Sequence, residues 1–452
     1  MSSVTNDAVK YYHDLLTPEL AEEADFQLRK LLKERNLYFG ERPLCVVLRP
    51  FFYSERNWMF LNDGLEKLVQ AFNIVHQVCI TNPKHRAYLM LDDYEEQLIQ
   101  YDRPQVPPWS SSRLDMFYVT DKDELKCVEY NAETPAGIGY ADMLGEVFTE
   151  LEPYKRFQQK YHTFMMPALD QLTDALIDAY LAWGGQRFPQ VAIVDWREVP
   201  TLTEHEITRQ HFERKGLKAV LADPRALEYR DGALWSEGFR IDMIYKRVLY
   251  SELFATMGID NPITRAMRDG NVFITNSISA KMLAKKASLA FLSDTENAHF
   301  FSADQLQAIQ AHIPWTRVVK EGKTTYQGKT IDLIPFLNDN REKFVLKPND
   351  DYGGRGVVLG WEASSDGWEA ALKQALLVPH VVQERVEVVQ LDFPMWLNGE
   401  IDISPRFVDA DPYVFGGKMV YGIMTRLSPL SLLNVTAGGG SIVPTVLIEK
   451  RR

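Results

Sequence analysis

Cysteine is scarce in this chain: Cys45, Cys79 and Cys127 are the only three, and no two share a CxxC spacing. An odd, scattered set of thiols offers neither a disulfide framework nor a structural zinc site. Positive charge is also short, with 50 Lys and Arg against 62 Asp and Glu and a formal net charge of −12. That balance repels nucleic acid and anionic membrane, and no local basic run reverses it. No apolar stretch reaches membrane-spanning length, and the opening MSSVTNDAVKYYHD has no signal-peptide core, so a cytoplasmic protein is expected. His205 and His211 do not have the one-turn spacing of HExxH, which argues against a histidine metal site.

What is there centres on FVLKPNDDYGGRGVVLG, residues 344–360, which reads as a strand, a glycine-rich turn and a returning strand. Alternation puts Phe344 and Leu346 on one face and Val345 and Lys347 on the other, so one ammonium emerges before Pro348 stops the ladder. Gly353, Gly354 and Gly356, with Arg355 among them, let backbone amides approach an anion with no side chain in the way. No Gly-Lys-Ser/Thr follows, and a strand stands where a P-loop needs a helix. The plain alternative for such a turn taken alone is a flexible hairpin tip.

The composition, 46% apolar and 25% charged over 452 residues, has material for two or three lobes. Thr17 and Pro18 cap and start a helix to about residue 35. Residues 43–50 read as a buried strand, 55–78 as a long amphipathic helix, and 93–101 as a short one. Helical sequence runs from about 141 to 183 with breaks near Pro153 and Pro167, and WGGQRFPQ suggests a boundary near 185. Beyond it, 191–196, 203–215 and LKAVLADP form a βαβ unit with a parallel pair. ALEYRDGALWSEG signals a hairpin through its Asp-Gly turn. RIDMIYKRVL, 240–249, is a further strand.

In SSRLDMFYVTDKDELKCVEYNAETP two strands flank a polar loop. If the hairpin is centred on Lys122, Asp115 lies opposite Glu129 and Arg113 opposite Asn131, all on one face. Carboxylates facing each other across a ladder repel and require a compensating cation. Mg²⁺ suits oxygen ligands from Glu129 and Asn131, two residues apart on one side of a strand. An exposed charged strand is the alternative.

These segments, with NSISAKMLAKKASLAFL (276–292), read as a helix carrying Lys281, Lys285 and Lys286, and the apolar strand HVVQERVEVV (380–389), resemble the circularly permuted ATP-grasp family, of which glutathionylspermidine synthetase is a familiar relative. The permutation lies in the order, since the metal-ligand strand, normally last in an ATP-grasp chain, comes first here. The resemblance covers roughly residues 110–150 and 240–445. It implies a mixed α/β fold in three parts: 1–184 with amino-terminal helices and metal strands, 185–262 as a small parallel-sheet domain, and 263–452 as the nucleotide-binding region. It also implies Mg²⁺ on Asp115, Glu129 and Asn131. The phosphates of ATP would meet Lys347 and Lys286, with Lys281 and Lys285 as alternatives to Lys286, and the glycine turn 353–356. Adenine and ribose would meet Gln383 or Glu384, the Val386 backbone and Glu387.

Arg426 resembles the arginine that meets the transferred phosphate, its planar fork suited to phosphoryl oxygens. Gly438, Gly439 and Gly440 read as a second anion loop, with donors from Asn434 and Thr436 beside it, a mobile connection being the alternative. Arg49, Arg113 and Arg247 are the expected acceptor-pocket residues, a salt-bridged or surface arginine being the alternative for Arg49 and Arg247. The implied activity joins a small-molecule or peptide carboxylate to an amine or thiol through an acyl phosphate. A phosphotransferase and a non-catalytic ATP-binding module are the other classes. Relatives often carry an amidase domain for which this chain shows no cysteine motif, so both substrates stay open.

Overall fold

A computed structural model describes residues 3–102, 108–430 and 440–451. Its largest sheet draws strands from both halves of the chain, in the order Val389–Leu397, Glu400–Val408, Met419–Ser428, Asp411–Phe415, Ser111–Val119 and Glu124–Asn131. Ser441–Lys450 continues it from Met419–Ser428 and pairs with Phe51–Ser54 and Tyr161–Met165. Tyr413 lies across from Arg113, so carboxyl-terminal strands complete the ladder that the 111–131 hairpin begins. This pairing is the permutation seen in space.

A second sheet is parallel throughout, ordered Phe273–Thr275, Met243–Lys246, Gln190–Val194 and Lys218–Ala222. The expected βαβ unit, Gln190–Val194 and Lys218–Ala222, forms one end of it, with the Leu202–Arg214 helix as the crossover. Its first-placed strand, Phe273–Thr275, lies past residue 262. A third sheet is antiparallel, ordered Thr316–Val318, His380–Glu384, Phe344–Pro348 and Val358–Leu359. Phe344 and Leu346 point into a core of their own with Trp368, Leu372, Leu337 and Val382. The opposite face of that strand carries Val345 and Lys347, as the alternation requires.

Three expected elements are corrected. Residues 43–50 are not a strand: beyond the short Arg42–Pro43 pairing the chain is irregular as far as Phe51–Ser54. The segment is buried because it packs on a sheet edge, where the Leu48 amide donates to Pro394 O at 2.8 Å. Tyr161–Met165, inside the stretch read as helical, is a strand whose partner, Ser441–Lys450, is remote in sequence. The 276–292 stretch is not one helix. A turn at Lys285, with ψ 128°, separates Lys281–Ala284 from Ala287–Ser293, so the neighbouring lysines leave the chain in different directions.

The strand returning from the glycine turn, Val358–Leu359, is followed by Gly360, whose amide donates to Phe344 O at 3.0 Å and whose carbonyl accepts from Arg341 Nη1 at 3.0 Å. A Cβ there would sit 1.9 Å from Arg341 O and 2.7 Å from Phe344 O, both backbone atoms that cannot swing aside. Gly360→Ala is therefore expected to destabilise the protein by about 2 kcal/mol or more in urea unfolding. A midpoint equal to that of the unaltered protein would contradict this packing.

Candidate functional site

Between the third sheet and the large sheet lies a cavity of about 720 Å³. One wall comes from the third sheet and the turn beside it: Val345, Lys347, Leu359 and Trp361, the glycines 353 and 354, and the segment from Gln383 to Val388. The other wall comes from the large sheet, with Phe117, Val128, Glu129, Phe407, Asp409 and Arg426. Val345, Leu359 and Trp361 give it apolar surface beside the 384–388 segment, and Asp115, Glu129, Asp409, Arg113 and Arg426 make a dense group of charges on the large-sheet side.

Among these charges the expected register holds: Asp115 pairs with Glu129 and Arg113 with Asn131. A bulge follows at once, since Met116 pairs with Cys127, and Val128 is the extra residue. The compensating cations for Asp115 are in the protein itself. Arg113 grips it with Nε at 2.8 Å and Nη2 at 3.0 Å, Arg426 Nη2 donates at 2.8 Å, and Asn131 Nδ2 donates at 2.8 Å. Burial opposes the Asp115 charge, but the two guanidiniums outweigh it and hold the carboxyl well below its usual range. Glu129, half-buried, stands 3.5 Å from Lys286 instead.

Arg426 is shared. Its Nε lies 2.6 Å from Asp409 and 2.9 Å from Asp411, both fully buried. Burial raises the carboxyls of Asp409 and Asp411. Three carboxyl groups thus share two guanidiniums, and the cavity-lining Glu129 carboxylate and Asn131 side-chain amide beside them offer oxygens of the kind that suits a hard divalent cation. Sequence reasoning missed Asp409 and Asp411. Their signal was present: two aspartates with a spacing of two, one in the connection after Glu400–Val408 and one opening Asp411–Phe415.

On the opposite wall Lys347 donates to Gln383 Oε1 at 2.7 Å and to Val128 O at 3.2 Å, and burial brings its ammonium down to about 8. Lys286 Nζ donates to Asp351 O at 2.7 Å at the cavity edge. Lys281 and Lys285 are buried outside the cavity among carboxylates. Gly353, Gly354 and Gly356 all take positive φ, between 66° and 74°, which frees that turn from Cβ strain. Arg355 lies over the Tyr352 ring. Glu384 accepts from Tyr326 OH at 2.7 Å, while Val386 and Glu387 line the cavity and Glu387 pairs with Lys122.

The three arginines expected to receive an acceptor substrate are otherwise engaged. Arg49 is fully buried outside the cavity, 4.1 Å over the Phe393 ring and bonded to Asp392 O and Pro50 O. It closes the edge of the large sheet. Arg247 donates to Pro135 O at 2.6 Å and holds the loop that follows Asn131. Arg113 lines the cavity but is occupied by Asp115 and by Ala136 O at 2.9 Å. Asn434, Thr436, Gly438 and Gly439 lie outside the described residues.

The two facing carboxylates therefore differ in kind. Asp115→Asn leaves two buried guanidiniums short of charge and is expected to lower stability by about 3 kcal/mol. Glu129→Gln, facing the cavity, is expected to stay within about 0.5 kcal/mol of the unaltered protein. Urea unfolding of both variants checks this, and equal losses would contradict it.

The family described as circularly permuted ATP-grasp type 2 matches residues 50–428. "Putative glutamate–cysteine ligase 2-3" of Frankia alni is 25% identical over 93% of this chain and 49% of its own length. "Putative glutamate–cysteine ligase 2-2" of Frankia casuarinae is 26% identical over 70% of this chain and 36% of its own. The chain thus spans half or less of these curated relatives. An uncharacterised Mycobacterium leprae protein is 21% identical over 89% of this chain and 72% of its own. Among solved structures, a glutathione synthetase-like effector from Globodera pallida, in the apo form, superposes with a TM-score of 0.60 at 11% identity. It covers 96% of this chain and 98% of that one, which speaks for the fold. With the match over residues 50–428, the paired ladder of both chain ends and the shared fold, the chain belongs to the circularly permuted ATP-grasp type 2 family.

Proposed function

We propose that the chain is an ATP-dependent carboxylate–amine, or carboxylate–thiol, ligase that works through an acyl phosphate. One observation carries the reading: a single cavity has lysines on one wall and oxygen donors with Arg426 on the other, with apolar surface from Val345, Leu359 and Trp361. A substrate that is at once apolar at one end and polyanionic at the other fits this lining, and MgATP is such a substrate. The names of the Frankia relatives support an amino-acid carboxylate and an amine as the joined groups.

In this reading the base lies between Val345, Leu359 and Trp361 and the 384–388 backbone, with Glu387 near the ribose. Lys286, Lys347 and the amides of the glycine turn bind the phosphates. Glu129 and Asn131, with Asp115 behind them, would hold Mg²⁺, which when bound neutralises phosphate charge. A substrate carboxylate oxygen attacks the γ-phosphorus and ADP leaves. The amine nitrogen then attacks the acyl carbon and phosphate departs with the former carboxylate oxygen. The protein supplies position and charge. Arg426 lies where charge accumulates during transfer, its own position fixed by Asp409 and Asp411.

Removal of the Lys347 ammonium loses a charge-assisted contact, so Lys347→Ala is expected to weaken MgATP about tenfold by calorimetry. The pH dependence has a definite sign. Burial depresses Lys347 to about 8 in the free protein, and bound phosphate favours the ammonium. Affinity is therefore flat below that value and falls as pH rises through it, with proton uptake on binding near pH 8. Affinity independent of pH up to 10 in the unaltered protein would contradict this role.

The reaction class is tested by trapping. With MgATP, candidate amino acids or peptides and hydroxylamine in place of the amine, an acyl phosphate gives a hydroxamate together with ADP. ADP with a stable phosphoester and no hydroxamate would make the enzyme a phosphotransferase. No ADP with any pooled acid and amine would leave only a binding module.

A further inference from the structure

Behind the cavity lies a second charged cluster that lines no part of it. Lys281 Nζ is 2.7 Å from both Asp350 oxygens, 3.0 Å from Glu133 and 3.6 Å from Glu95. Lys285 Nζ is 2.9 Å from Asp350, 2.9 Å from Glu95 and 3.1 Å from Asp92. Lys246 reaches Glu133 at 3.4 Å, and Glu133 also accepts the Tyr250 amide at 2.7 Å. The lysines and glutamates here are almost wholly buried. Oxygens of Asp92, Glu95 and Asp350 converge within 4.8 Å of one another, a geometry that can hold a metal ion. The Lys285 ammonium is within 3.1 Å of an oxygen of each, so the protein's own cation takes that place.

The cluster is built from segments that each lead to the cavity. Asp350 is the root of the glycine turn. Glu133 follows the metal strand by two residues. Lys281 and Lys285 precede Lys286, whose amide donates to Asn349 O at 2.9 Å and whose Nζ donates to Asp351 O at 2.7 Å. Three consecutive residues, Asn349, Asp350 and Asp351, thus hold three lysine-bearing positions. Only the last lysine faces the cavity.

We propose that Asp350 is a positioning residue for the triphosphate: through Lys281 and Lys285 it fixes where the glycine turn departs and where the Lys286 ammonium stands, without touching the nucleotide. This rests on the nucleotide reading above. Paired buried charges are orientation-specific, because displacing either ammonium takes from Asp350 and Glu95 one of their two lysine partners. The adenine end depends on a different segment, 384–388, and is independent of this cluster.

The two ends give separate readouts. Asp350→Asn keeps the shape of the side chain, and both lysines retain other carboxylates. By calorimetry on the full chain it is expected to weaken MgATP about tenfold while AMP, with its single phosphate, stays within about twofold. Asp92→Asn, at the exposed rim, is expected to change neither. Unchanged MgATP affinity in Asp350→Asn, or equal weakening of ATP and AMP, would overturn the proposal. Should Asp350→Asn not fold, Asp350→Glu decides: it keeps both ammoniums paired but shifts the turn by a methylene, and must weaken ATP selectively. Unaltered protein that binds no MgATP would remove the nucleotide reading and this inference together. Loss of ATP in Lys347→Ala beside full retention in Asp350→Asn would remove this inference alone.

Discussion

The structure depends most on a buried carboxylate, Asp115, held between Arg113 and Arg426. Arg113 and Asp115 lie on one strand and Arg426 on another from the opposite end of the sequence, joined through Asp411–Phe415. The ion group therefore fixes the register of the ladder that completes the large sheet. A charge buried this deeply is tolerable only when its partners are in place, so misregister is costly. Hydrophobic alternation alone tolerates a slip of two residues, and a paired charge does not.

That rigid wall faces a more independent one. The third sheet has its own core around Trp368 and Phe344, and it meets the large sheet across the cavity. Lys343 and Lys347 belong to the smaller wall, and Asp115, Glu129, Asp409 and Arg426 to the larger. Between them a triphosphate and a divalent ion can sit with both sets of charge already aimed, which is the form of preorganisation that phosphoryl transfer rewards. The cluster around Lys281, Lys285 and Asp350 ties the walls together from behind.

Much of this was legible in the sequence, and for local reasons. Centring one hairpin on Lys122 places Asp115 opposite Glu129, because period-two geometry leaves little freedom. The faces of Phe344–Pro348 followed from the same rule, and the glycines at 353, 354 and 356 do adopt the backbone that only glycine adopts easily. What stayed hidden was set by partners far away in the chain. The neutralisation of Asp115 by two arginines, rather than by a metal alone, needs Arg426 to be adjacent in space. Arg49 and Arg247 looked like anion binders because nothing local shows that Asp392 O and Pro135 O are waiting for them. Lys281, Lys285 and Lys286 could not be told apart until the turn at Lys285 separated their directions. Asp409 and Asp411 carried a signal, but it meant something only once paired with Arg426.

The central claim, that the cavity between the two sheets takes MgATP, is tested most directly by a crystal structure with a non-hydrolysable ATP analogue and Mg²⁺. The account predicts adenine against the backbone at Val386, phosphates between Lys286 and Lys347 under the glycine turn, and the ion on Glu129 and Asn131. An analogue bound elsewhere, or in this cavity with its phosphates by Trp361, would contradict it.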